Sequence, residues 1–158
     1  MAASKAKVET PNNMDQRFID GTVVTLEDAE IRYSHMINPD TEYTEEWSVH
    51  AKIDPSQVEV MMDLGFNIKE DDANGTYWLK AKRVCRTRAG KDQSPPVLKM
   101  EDGTTISFEP GNGSVGDVHL WCKYTNPIKG KIYMGTYLNG FTGKEVKDAA
   151  LGGGGVTF

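Results

Sequence analysis

Cysteine and histidine are scarce in this chain of 158 residues, which holds two of the first and three of the second. Cys85 and Cys122 lie far apart on strand-like segments, at positions that face a core. Lone thiols so placed read as small buried side chains rather than a disulfide or a metal pair, and they fit a reducing compartment. His35, His50 and His119 are widely spaced and lack a Cys or Glu at ligand distance, so no metal site is expected. Long apolar runs are missing too. None approaches the ~20 residues that cross a membrane, and the polar stretch 1–15 carries no secretory-signal pattern. No Ser, Cys or carboxylate occupies a recognisable catalytic setting, and no internal repeat divides the chain. The expectation is a soluble domain with no membrane segment, no metal, no cofactor and no enzymatic activity.

Two motifs look like exceptions. Gly111-x-Gly113-x-x-Gly116 has dinucleotide-binding spacing, but that motif needs a helix after it, and 115–124 reads as a strand. Asn74-Gly-Thr76 and Asn112-Gly-Ser114 match glycosylation acceptors and read as ordinary turns.

Acid is the remaining shortage, and it is local. The formal charge is −5, yet 80–131 holds ten Lys/Arg against five Asp/Glu, while the remainder holds eight against eighteen. Salt screening confines surface fields to roughly 10 Å, so the local excess decides what this region attracts. Between Leu120 and Tyr137 there is no acidic residue at all.

What is present is a two-faced strand pattern, repeated on three segments. In 77–87, Tyr77, Leu79, Ala81 and Cys85 share one face, with Arg83 as a misfit. Trp78, Lys80, Lys82, Arg86 and Arg88 share the other, interrupted by Val84. In 115–124, Val118, Leu120, Cys122 and Tyr124 alternate with His119, Trp121 and Lys123. In 131–138, Ile132, Met134 and Leu138 alternate with Lys131, Tyr133, Gly135 and Tyr137. Each segment thus offers an apolar face to a core and an outer face of rings and cations.

Such faces suit unpaired nucleic acid, DNA or RNA alike. Cations draw in phosphates by counterion release, and aromatic rings stack bases at about 1–3 kcal/mol each. The expected phosphate contacts are Lys80, Lys82, Arg86, Arg88, Lys123, Lys129 and Lys131. The expected stacking residues are Trp78, Trp121, Tyr133 and Tyr137. Duplex DNA hides its base faces, and the only clear helix, 55–64, has no basic residue to enter a major groove. Two other uses of the same surface are a protein-interaction module, with the rings as hot spots, and a virion structural protein. The many lysines weigh against a protein interface.

Along the chain, 1–20 reads as a flexible arm, 21–142 as the nucleic-acid-binding domain and 143–158 as a tail with a glycine-rich spacer ending on Phe158. Strand patterns cover 22–26 and 29–33, read as one strand or a bent pair, and then 47–53. Asp54-Pro55 opens a short helix with Val58, Met61, Met62 and Leu64 on its apolar side, and Gly65 ends it. A hairpin over 97–100 and 104–108 turns at Asp102-Gly103. Mainly β structure, one short helix and abundant turns predict a small barrel.

The order of several short features resembles the phage-encoded single-stranded-DNA-binding proteins of tailed phages, an OB-fold family. They are the opening strand into Tyr33, Pro95-Pro96-Val97, Asp102-Gly103, Gly111-Asn-Gly-Ser114 running into the 115–124 strand, and Tyr137-Leu138-Asn139-Gly140. The resemblance covers about 22–140. It implies an OB barrel with an added hairpin, and a protein that coats and protects unpaired DNA in replication, recombination and repair. It further implies the host cytoplasm as location, a phage DNA polymerase and primase-helicase as partners, and a homodimer as one possible state. Members commonly end in an acidic tail with a terminal aromatic that contacts partners. Here Phe158 is kept but a tetraglycine stands where acids are expected, with only Glu145 and Asp148 nearby. That departure puts recruitment through the tail in doubt.

Overall fold

The computed structural model describes residues 14–42 and 44–151. Its elements in chain order are α1 (Gln16–Asp20), β1 (Thr22–Asp40), β2 (Glu46–Ile53), α2 (Pro55–Leu64), β3 (Ile68–Asp71), β4 (Thr76–Val84), β5 (Val97–Met100), β6 (Val115–Tyr124) and β7 (Met134–Glu145).

β1 is one long strand that bends rather than two. Asp28 and Tyr33 adopt left-handed φ values of 51° and 53°, and the register slips after Leu26 and after Arg32. Bulges of this kind bend a strand and sharpen its twist. The first half of β1 therefore pairs with β6 and the second half with β2. Glu109 fixes the far end: its carboxylate accepts hydrogen bonds from the Ser34 hydroxyl and the backbone N–H groups of Met36, Ile37 and Asn38.

The hydrogen-bonded order β4-β2-β1-β6-β7 closes on itself, because β4 also meets β7 in parallel at Lys82 and Tyr137. The Thr136 hydroxyl donates to the Lys80 carbonyl across the same seam at 3.1 Å. The result is a five-stranded barrel filled by the inward residues of each strand, among them Ile31, Val49, Leu79, Val118, Leu120, Leu138 and Phe141. β3 extends the sheet beside β4, and β5 runs parallel to β7. α2 is bounded as its sequence predicts. The Asp54 carboxylate accepts the Ser56 N–H, and Gly65 at φ 111° returns its own N–H to the Met61 and Met62 carbonyls.

Four expectations change. Residues 14–20 do not belong to a loose arm, since α1 plants Phe18 edge-on against Phe66 and Tyr124 in the core; positions 1–13 lie outside the described residues. The 97–108 hairpin keeps its turn and its Lys99–Thr105 link, but only its first limb is a full strand, because that limb's other edge pairs with β7. β7 begins three residues later than the pattern suggests and runs on to Glu145. The segment after it is strapped to 109–114: the Gly111 N–H reaches the Lys147 carbonyl, the Lys147 N–H reaches Ser114 Oγ, and the Ala149 N–H reaches the Glu109 carbonyl. The expected tail boundary at 143 therefore falls inside the barrel. Cys122 is fully buried and its thiol is pushed up to about 12 by burial, whereas Cys85 sits beyond the end of β4 and is only half-buried.

Candidate nucleic-acid interface

The outer faces of β2 and β4, the edge strand β3 and the β6–β7 loop enclose a cleft of about 610 Å³. Lys80 and Lys82 enter it from β4, Lys69 from β3 and Arg32 from β1. Tyr133, Ile128 and Thr125 close it from the loop, and Tyr137 stands at its β7 side. Four cations face the carboxylates of Glu70 and Asp71 there, and Asp71 is already engaged by Arg32 at 2.7 Å. Lys80 also pairs with Glu46 at 3.4 Å across the half-exposed rim, a contact of the kind worth little in water.

Trp78 does not present the stacking face expected of it. It is 5% exposed, its indole N–H donates to Thr76 Oγ1 at 2.7 Å, and the Arg32 guanidinium lies 3.9 Å from its ring centroid. Arg32 starts on β1 and reaches across β2 to do this, as the planar guanidinium stacks well on indole. Trp78 therefore forms the floor of the cleft. His50 lies beside it, edge-on to Tyr33. Burial, and then the positive charge of Arg32, Lys80, Lys69 and His35, lower its pKa to about 4, so it is neutral at pH 7.

A second, smaller cleft of about 460 Å³ adjoins the first and is lined by Lys82, Arg83, Val84, Gln93, Trp121, Tyr137 and Asn139. Tyr137 and Lys82 belong to both. Trp121 and Tyr137 are direct cross-strand neighbours, 37% and 43% exposed, and each rests on a glycine. A Cβ added at Gly135 would fall 2.5 Å from Tyr137 Cε2, and one added at Gly21 would overlap the Trp121 ring. The missing side chains let both rings settle against the backbone. Val23 continues the row as the β1 partner of Trp121.

The remaining expected contacts are placed unevenly. Lys123 is exposed two residues beyond Trp121, opposite Gly135. Lys129 and Gly130, at φ 53° and 78°, make the tight turn at the loop tip, and Lys131 flanks it through its link to Ile128. Arg86 and Arg88 line neither cleft. Arg86 is tied to Asp92 at 2.9 Å, and Arg88 sits in the turn that Thr87 and Lys91 close. β4 ends at Val84, so the strand alternation that aligned those arginines with Lys82 no longer holds. Lys69, Arg32, His50 and Asn67, all at the cleft, were missed. Ile68–Asp71 is too short to show a period, and Arg32 is a lone cation on an otherwise acidic stretch of β1.

A closed five-stranded barrel whose main cleft lies over the second and third barrel strands and beside the loop between the last two has the architecture of the OB-fold class. Among solved structures, the fold is similar to that of gp2.5, a single-stranded DNA binding protein encoded by bacteriophage T7, with a TM-score of 0.57 and 15% identity over 80% of this chain and 88% of that one. It is also similar to the single-stranded DNA-binding protein from bacteriophage Enc34 in complex with ssDNA, with a TM-score of 0.56 and 9% identity over 90% of this chain and 98% of that one. No protein-family model matches the sequence, and no curated protein does. The chain thus shares the barrel of these phage proteins, as its sequence features suggested.

Proposed function

We propose that this chain is a non-enzymatic, largely sequence-independent single-stranded-DNA-binding protein of a phage. In this reading it coats and protects unpaired DNA during replication, recombination and repair in the host cytoplasm. The observation that carries it is the convergence of Lys69, Lys80 and Lys82 with Tyr133 and Tyr137 in one cleft that continues past Trp121. Lysines hold phosphates while rings accept bases, the combination an unpaired strand needs and a duplex cannot use. A neighbour of the same fold was solved with ssDNA bound. Lys123 extends the track, and Lys129 and Lys131 meet the strand from the loop tip. Arg86 and Arg88 contribute only at its margin.

The homodimer and the polymerase and primase-helicase partners rest on the family resemblance. Phe158, the proposed partner contact, lies outside the described residues. Among the described residues no helix is long and apolar enough to cross a membrane.

Titration of intrinsic Trp fluorescence with poly-dT is the test. Trp47 is in the core, Trp78 is covered by Arg32 and Trp121 is exposed, so quenching should come chiefly from Trp121 and fall away in Trp121→Phe. Trp121→Ala should weaken binding by about 1–3 kcal/mol, one stacking contribution. Absence of both quenching and binding would instead favour the protein-interaction or virion reading.

A further inference from the structure

The floor of the main cleft is polar in a way that phosphate binding does not use. Among the described residues, two buried side-chain atoms lack a hydrogen-bond partner: Arg32 Nε, a donor, and Asn67 Oδ1, an acceptor. Both residues line this cleft. A buried donor or acceptor left unpaired bears the full penalty of its desolvation, so native folds rarely keep one without a use for it. Each atom is itself sealed from solvent, so a ligand reaches it only as its side chain turns outward; two such residues on one cleft wall are hydrogen-bonding capacity that the fold leaves unspent.

The register shows how they are arranged. Arg32 pairs with His50, and His50 with Lys80. Asn67 comes one residue before Ile68, the partner of Leu79, and so stands beside Lys80. A transverse row therefore runs Asn67, Lys80, His50, Arg32 across the cleft. His50 is neutral there at pH 7 and offers one ring N–H donor and one ring acceptor. Arg32 has its charge answered by Asp71 at 2.7 Å and lies 3.9 Å from the Trp78 centroid and 4.8 Å from that of Tyr33. What it retains for a ligand is a directed N–H rather than free charge. Phosphates find their cations at Lys69, Lys80 and Lys82 around this floor. A flat, neutral group whose edge carries both donors and acceptors fits the floor itself, and in a nucleic acid that group is the base.

We propose that Arg32, His50 and Asn67 form a base-edge subsite, so that the protein binds single strands with a measurable preference among bases. The proposal rests on the nucleic-acid reading of the cleft and sharpens it, since stacking and phosphate contacts alone tolerate any sequence. Each base orders its donors and acceptors differently. A floor with fixed polar groups rewards the matching edge and leaves atoms unpaired against the others.

The test is an anisotropy titration of the full chain with deoxythymidine, deoxycytidine and deoxyadenosine homopolymers of equal length at one salt concentration. The affinities should spread by about tenfold, the factor that one retained or lost hydrogen bond is worth. Asn67→Leu and His50→Phe should collapse the spread while leaving the salt dependence of binding unchanged, and His50→Gln, which keeps a donor and an acceptor, should preserve part of it. Wild-type affinities within about twofold of one another overturn the subsite on their own, without any variant. A spread that persists in both Asn67→Leu and His50→Phe overturns it as well, and assigns the preference to stacking strength. Wild-type protein that binds none of the homopolymers overturns the nucleic-acid reading and the subsite together.

Discussion

Two glycines and one histidine set the chemistry of the interface at the scale of single residues. Gly135 leaves the space that the Tyr137 ring occupies, and the ring is the movable partner in that contact. Gly135→Ala should therefore displace Tyr137 rather than unfold the strand. We expect an affinity loss of about one stacking contribution, 1–3 kcal/mol, with little change in Tm; a fully active variant would show that Tyr137 does not need its seat. His50 makes a pH prediction. Its pKa of about 4 in the fold lies below the ordinary value near 6.5 for an unfolded chain. Between those values the unfolded state binds more protons, so stability falls as pH drops from about 6.5 toward 4. The loss attributable to His50 is on the order of 2 kcal/mol after allowing for water in the cleft. Comparing urea denaturation of wild-type and His50→Gln proteins at pH 7 and pH 4.5 isolates it, because the variant should lack that part of the decline.

The elements differ in how plainly the sequence announces them. Helix α2 is legible to the residue, because Asp54, Pro55 and Gly65 are local signals whose geometry needs no tertiary partner. The facing of β6 and of early β7 is legible too, since strict alternation survives wherever one side meets a core. Trp78 is where that logic fails: it does point outward, but a side chain from another strand covers it, and alternation carries no information about what lies above a face. Arg86 and Arg88 fail for a different reason, as the strand ends before them. α1 was missed because five residues are too few to show a period; its local signals are the capping Asp15, the apolar pair Phe18 and Ile19, and Gly21 at its end. Phe18→Ala should nevertheless destabilise the whole barrel by about 3–5 kcal/mol, as truncation of a buried Phe does. Chemical denaturation would read it, and a negligible change would return residues 14–20 to the arm.

At the scale of the molecule, a chain of net charge −5 presents cations where its rings are exposed. The acidic remainder repels phosphate elsewhere and so narrows the productive approach. If Lys69, Lys80, Lys82, Lys123, Lys129 and Lys131 each neutralise one phosphate, log K should fall against log salt with a slope of roughly −4 for a single strand. A slope near zero in a titration at several salt concentrations would remove the lysines from the interface. The seam of the barrel lies inside this same surface. Lys82 and Tyr137 join β4 to β7 there, helped by one threonine hydroxyl, and both of those residues line the two clefts. A strand lying across them would act as a clasp on the weakest edge of the cylinder. Occupancy and wall integrity are then a single equilibrium, and an empty protein would breathe first at the very line its guest holds shut.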